Sequence, residues 1–213
     1  MKPTHLESND RCRSELCLMA ACLRFCATLL RYPDQSIHNV LGVALPVFED
    51  LHHGLVGCFQ APLPDLESMQ QSYTSLFVAN PAGIPAVPYI SSRLEPERHV
   101  YGAATRALRA LMAAEGVRTD EELGEPEDHI GCVFDFAALL AERAVETPLK
   151  LPGLHRVFST YLSPVLPGFA AEVYRADPAG FYADAAAFCS ALVGNLEDLF
   201  PVLMSGMKTE KEV

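Results

Sequence analysis

Residues 124–140 read GEPEDHIGCVFDFAALL and set a carboxylate, Asp128, beside an imidazole, His129, just ahead of an apolar stretch. An ionised carboxylate can accept two parallel hydrogen bonds from a guanidinium, and a neighbouring histidine can donate or accept according to pH. Two uses follow. In one, the pair protrudes into a groove and binds a cationic partner. In the other it serves the helix: Glu125, Glu127 and Asp128 suit the positive end of the helix dipole, Pro126 occupies the first turn, and His129 is satisfied by a backbone carbonyl. Spacing alone leaves both open. An acid–base enzyme built on the pair would need a nucleophile or electrophile at a recognisable spacing, and none stands out. The phosphate-cradling pattern GxxxxGK[ST] is absent. His52 and His53 are adjacent, so on a helix they point in different directions and make a poor metal pair. The seven cysteines form no CxxC pair, and most read as reduced core thiols, not as a disulfide framework or a zinc knuckle.

The elements that must position these residues are helical. Leu16, Ala20, Leu23, Ala27 and Leu30 step by threes and fours between Arg13 and Arg31, and Tyr32-Pro33-Asp34 stops the run. A second helix is expected from Ser36 to Phe59, interrupted near Pro46. A third starts at Pro64-Asp65, with Asp65 as N-cap, and carries Leu66, Met69, Tyr73, Leu76 and Phe77. Residues 80–97 hold Pro81, Pro85, Pro88 and Pro96 with Gly83, a density that predicts a long ordered loop without regular structure. Helical period returns at Val100, Ala104, Leu108 and Leu111 and closes at Gly116. His129, Val133, Phe136 and Leu140 then form one inward stripe. Leu154, Val157 and Tyr161 share a helix, Pro164 and Pro167 break it, and Phe169 and Val173 share the next. Asp177-Pro178 is expected to cap a last helix bearing Phe181, Ala185, Phe188, Leu192, Leu196 and Leu199. No alternating strand is found. The chain reads as an all-α single domain of about eight to ten helices, given a mean helix of about 11 to 12 residues. Two lobes, at about 13–79 and 98–203, flank the connecting loop 80–97, and a flexible tail covers 204–213.

Composition narrows the function classes. Half of the 213 residues are apolar, enough for a sizeable core. The formal net charge is -11 with no Lys/Arg-rich block, which argues against nucleic acid. The N-terminal segment has no apolar core of a secretory signal, and no run nears 18 uninterrupted apolar residues, so a cytoplasmic protein without membrane insertion is expected.

Three segments carry more: YTSLF (Tyr73 to Phe77), PYISS (Pro88 to Ser92) and EPEDH (Glu125 to His129). In that order, on a helical background over roughly residues 14 to 200, they resemble the TorD/DmsD family of cytoplasmic chaperones for molybdenum-dependent oxidoreductases. Arg93 stands where many members carry a tyrosine, and Tyr161 and Val165 stand where a histidine and a tryptophan are common.

The resemblance implies an all-helical chaperone, not an enzyme, with no cofactor or metal of its own. Its partner would be the catalytic subunit of a molybdenum oxidoreductase. It would bind that subunit's twin-arginine leader, hold the apoenzyme until the molybdopterin cofactor is inserted, and so delay export. Two guanidinium groups followed by an apolar segment need an acid beside an apolar groove. Asp128 would supply the acid, Tyr73, Leu76 and Phe77 would line the groove, and Pro126 and His129 would shape it. Pro88, Tyr89, Ser91 and Glu125 would close the site from the loops. The alternative is a chaperone that binds a mature or leaderless redox subunit without reading a leader. The loop 80–97 could also act as a hinge for a domain-swapped homodimer.

Overall fold

The 3.6-residue periodicity is realised as ten α-helices in a computed structural model that describes residues 5–52, 59–95, 102–118 and 126–206. In chain order they are α1 (His5–Leu29), α2 (Gln35–His52), α3 (Leu66–Tyr73), α4 (Ser91–Leu94), α5 (Ala103–Ala114), α6 (Ile130–Glu146), α7 (Leu151–Val157), α8 (Leu166–Ala176), α9 (Phe181–Glu197) and α10 (Phe200–Gly206). The fold is all-α. Among the described residues the sole β-type pairing is an isolated antiparallel bridge between Tyr89 and His129. Glu125, Val100, His53, Cys58 and residues 207–213 lie outside the described residues, while 204–206, expected to begin a flexible tail, complete α10 instead.

Local chemistry sets most helix ends. Asp34 accepts from Ile37 N at 2.7 Å and opens α2. Asp65 accepts from Ser68 N at 2.9 Å and opens α3, as its residue type predicts. Gly116, at φ 68°, takes the left-handed conformation just beyond α5 that a residue with a Cβ adopts only under strain. Asp184, in the first turn of α9, accepts from Gln60 N at 2.8 Å and Ala61 N at 2.7 Å, tying residues 60–61 to the far end of the chain.

Three expectations are corrected. Pro46 does not interrupt α2, which runs through it to His52. The proline-rich loop contains the short helix α4, because residues 89–95 are free of proline and Leu94 N and Glu95 N reach back to Ile90 O and Ser91 O. Asp177 does not cap α9: it ends α8, and Gly180 takes the N-cap position with no side chain bonding there.

The core sits where α1 crosses α6. Leu16, Met19 and Leu23 of α1 and Val133, Phe134 and Ala137 of α6 belong to one continuous buried cluster. The same cluster takes in Leu154 of α7, Phe169 of α8, Phe188 of α9 and Phe200 of α10, so it draws on both sides of the proline-rich loop. Gly131 lets α6 approach α1 closely, since a Cβ there would stand 3.4 Å from Ala27 O and 3.2 Å from His129 Nδ1. At the rim of this pair Arg24 binds Asp135 at 3.0 Å and Glu142 at 3.2 Å, and Arg31 also pairs with Asp135. The span Phe181–Gly206 is apolar and long enough, at 26 residues, to cross a membrane by length and composition. Within it Phe181, Ala185, Phe188, Leu192 and Leu196 are buried against the core, so its apolarity is used in packing.

Candidate functional site

The three segments singled out in the sequence converge at the start of α6. The PYISS loop lies along the chain entering that helix: Ile90 N donates to Asp128 O and Ile130 N to Pro88 O, each at 2.9 Å. The Asp128 side chain completes the junction. Its Oδ2 accepts from Ser91 N at 3.1 Å, from the Ser91 hydroxyl in a short bond, and from Thr105 Oγ1 at 3.1 Å. Bonds to a carboxylate contribute about 1.5 to 3 kcal/mol each, so Asp128 locks the loop and α5 to α6. Its Oδ1, also buried, has no hydrogen-bond partner among the described residues. One turn along α5 from Thr105, Arg109 grips Glu127 with both nitrogens, at 2.7 and 2.8 Å. Glu127 therefore serves a paired cation as well as the helix dipole.

His129 caps α6 through its ring. Nδ1 accepts from Gly131 N at 3.1 Å, and Nε2 lies 3.3 Å from the Tyr73 hydroxyl, which donates in turn to Leu30 O at 3.3 Å. This chain fixes the tautomer: Nδ1 accepts, Nε2–H donates, and the ring is neutral. Burial, together with the Arg31 charge, lowers its pKa to about 4. Pro126 contributes its carbonyl, which accepts from His129 N at 3.0 Å. The edge of Tyr89 meets the imidazole with ring centres 5.6 Å apart.

Burial decides what these residues touch. Asp128 is 0% exposed and His129 2%, and the two take different partners, so neither opens onto a groove and they form no acid–base pair. Tyr73, Phe77, Pro88 and Ser91 are buried as well. Phe77 stands among the rings of Tyr73, Phe169 and Tyr182, with centres 4.9 to 5.7 Å apart. Leu76 is buried too, but it also reaches the wall of a surface depression.

Sequence reasoning missed two features. Arg93, 9% exposed at its side chain, pairs with Glu172 of α8, donates to Val87 O and lies 5.1 Å from the centre of the Phe169 ring. It straps the proline-rich loop to α8 through a pair largely withdrawn from water. A lone arginine in a loop of an acidic chain was the available signal. The second feature is a π-helical turn at Thr74–Val78, closed by Ala79 N to Thr74 O at 2.8 Å, on the YTSLF segment itself. Periodicity does not announce such turns, which often mark functional sites.

Beyond that turn the surface opens. Ser72, Ser75, Leu76, Asn80, Pro85 and Asp177 line a depression of about 390 Å³ between the end of α3 and the end of α8. Ala86 N bonds Leu76 O at 3.1 Å and fixes its loop wall, while Asn80 Nδ2 bonds Ser75 Oγ at 3.2 Å and Ser75 O at 3.3 Å. Among the described residues no cluster of three or more His, Cys, Asp or Glu could hold a metal ion.

Known proteins resemble this chain over a large part of its length. The profile described as nitrate reductase delta subunit fits residues 44–171. A Tat proofreading chaperone DmsD of Salmonella typhi is 38% identical over 76 residues, 36% of this chain and 37% of that protein. A chaperone protein TorD of Vibrio cholerae is 32% identical over 114 residues, 51% of each chain. The matched stretches thus span from about a third to about half of these curated relatives. A crystal structure of a proposed redox enzyme maturation protein from Archaeoglobus fulgidus superposes with a TM-score of 0.52 at 26% identity, covering 82% of this chain and 91% of that one.

Proposed function

Since this chain belongs to the nitrate reductase delta subunit family, the family of the TorD and DmsD chaperones, we propose that it is a cytoplasmic maturation chaperone. Its client is the catalytic subunit of a molybdenum oxidoreductase. It binds the client's twin-arginine leader, holds the apoenzyme while the molybdopterin cofactor is inserted, and delays export until then. The observation that carries this reading is the sequence likeness to proteins named Tat proofreading chaperone DmsD and chaperone protein TorD.

The geometry supports a division of labour. Asp128, His129, Pro126, Tyr73 and Phe77 act from behind, by holding the PYISS loop, the π-turn and the start of α6 in one arrangement. Pro88, Tyr89 and Ser91 belong to the same junction. Leu76 and the walls of the depression face the ligand. A leader in extended form needs a preorganised surface, because every rotamer ordered on binding costs affinity.

Calorimetric titration tests the proposal, with a twin-arginine leader peptide of a molybdenum oxidoreductase from the same organism in Arg-Arg and Lys-Lys forms. Binding of the first, weakened at least about tenfold by lysine, is expected, since lysine loses the bidentate geometry of the guanidinium. Failure of both peptides, with capture of the leaderless apo-subunit, transfers the recognition to the mature client.

A further inference from the structure

The notch beside Leu76 contains one charged group among the described residues that line it, and that group is idle. Asp177 ends α8 and stands directly before Pro178, where the sequence pattern of an acid followed by proline predicts that it caps α9. It does not do so. Gly180 is the N-cap, no side chain bonds there, and the Asp177 carboxylate has no hydrogen-bond or ion-pair partner among the described residues. It folds back over Gly180, where a Cβ would stand 1.8 Å from Oδ2, so a glycine is needed to let the carboxylate lie there. A carboxylate at the C-terminal end of a helix also meets the negative end of that helix dipole, an unfavourable place unless a cation joins it.

The rest of the notch suits one kind of cation. The Asn80 amide nitrogen is already spent on Ser75, so it does not supply a competing donor for Asp177. Leu76, Pro85 and Ala176 give apolar walls. A guanidinium is planar, weakly hydrated and carried on a three-carbon stem, and it can satisfy both carboxylate oxygens while its faces and stem pack on apolar surface. A lysine ammonium would surrender more hydration for fewer bonds. Val78 and Ile84 are exposed at 53% and 42% and lie within three residues of lining positions, as does Tyr174 at 60%. Exposed apolar side chains thus flank the lining residues in sequence.

We propose that Asp177, and not Asp128, is the carboxylate that receives an arginine side chain of the leader, in the notch between the π-turn and the end of α8. This rests on the leader-binding reading above, and the two fail separately. The test is amide NMR of the full chain titrated with acetyl-Arg-Arg-amide, and with acetyl-Lys-Lys-amide as control. The Arg-Arg probe is expected to shift Ser72, Ser75 and Asn80, and Asp177→Asn or the lysine probe to weaken that binding at least tenfold. Absence of shifts at those residues, or an unchanged titration in Asp177→Asn, overturns the assignment. Calorimetry with the whole leader peptide gives the second arm. Equal leader affinity in parent and Asp177→Asn removes the arginine from this notch while leader binding stands. Arg-Arg shifts lost in Asp177→Asn, without any binding of the leader, keep the arginine site and remove the leader as its ligand.

Discussion

Two aspartates of this molecule stand in opposite settings. Asp128 is wholly buried and takes three donors, whereas Asp177 lies at a surface notch and takes none among the described residues. In the sequence Asp128 is conspicuous, because it sits beside a histidine and inside a family-like motif. Asp177 has there the character of an ordinary helix cap. The structure reverses the weight that spacing alone would give them: the conspicuous acid is consumed in holding the protein together, and the inconspicuous one is available. A carboxylate is a receptor only to the extent that the fold leaves its lone pairs unspent.

That contrast is broken most severely by removing Asp128. Asp128→Ala strands the Ser91 hydroxyl, Ser91 N and the Thr105 hydroxyl in a buried junction. Each stranded donor costs about 1 to 3 kcal/mol, offset in part by the loss of the unpartnered Oδ1, so a net destabilisation of about 3 to 4 kcal/mol is expected in urea unfolding. Asp128→Asn keeps an acceptor oxygen and should cost less than half of that. A stability unchanged in both variants would show that the junction is not held by this side chain.

Acid should loosen the same junction through His129. Its folded pKa is lowered to about 4 by burial and the Arg31 charge, against about 6.5 in the unfolded chain. The unfolded chain therefore binds the proton first. Stability conferred by the neutral ring is fully present above pH 6.5 and falls as pH drops through the window down to about 4, by up to roughly 3 kcal/mol at 1.36 kcal/mol per unit. Denaturant midpoints between pH 7 and 4 measure this, and His129→Gln should flatten the profile. A milder probe of the same chain is Tyr73→Phe, which strips the acceptor from His129 Nε2–H and the donor from Leu30 O. About 1 to 2 kcal/mol is expected there, with a rise in hydrogen exchange at the start of α6.

What the sequence disclosed follows the range of the forces involved. Helices were legible because their apolar stripes are periodic, and Asp65 was legible as a cap because capping is a contact within four residues. Tyr73 and His129 were grouped as lining one groove, and the structure joins them through a buried hydrogen bond. Whether a polar side chain ends inside or outside depends on neighbours far along the chain. Thr105 and Ser91 reach Asp128 across 23 and 37 residues, and Glu172 reaches Arg93 across 79. No local pattern reports such partners. The vacancy at Asp177 was illegible for the same reason, since a residue that satisfies every rule for a helix cap gives no sign that Gly180 has taken its place.

The smallest expected effect is the most discriminating. Asp177→Asn removes a charge that holds no hydrogen bond, so the folded state loses nothing specific, and substitutions of that kind fall within about 0.5 kcal/mol of neutral. A slight gain is the more natural sign, because the carboxylate stands at the unfavourable end of α8 and the carboxamide does not. Urea unfolding of this variant beside Asp128→Asn gives the comparison directly. If Asp177→Asn destabilises the chain as much as Asp128→Asn does, the two acids do the same work and the notch is part of the scaffold. If it is neutral, the carboxylate contributes nothing to folding and stays free for what the surface meets, which the arginine titration then decides.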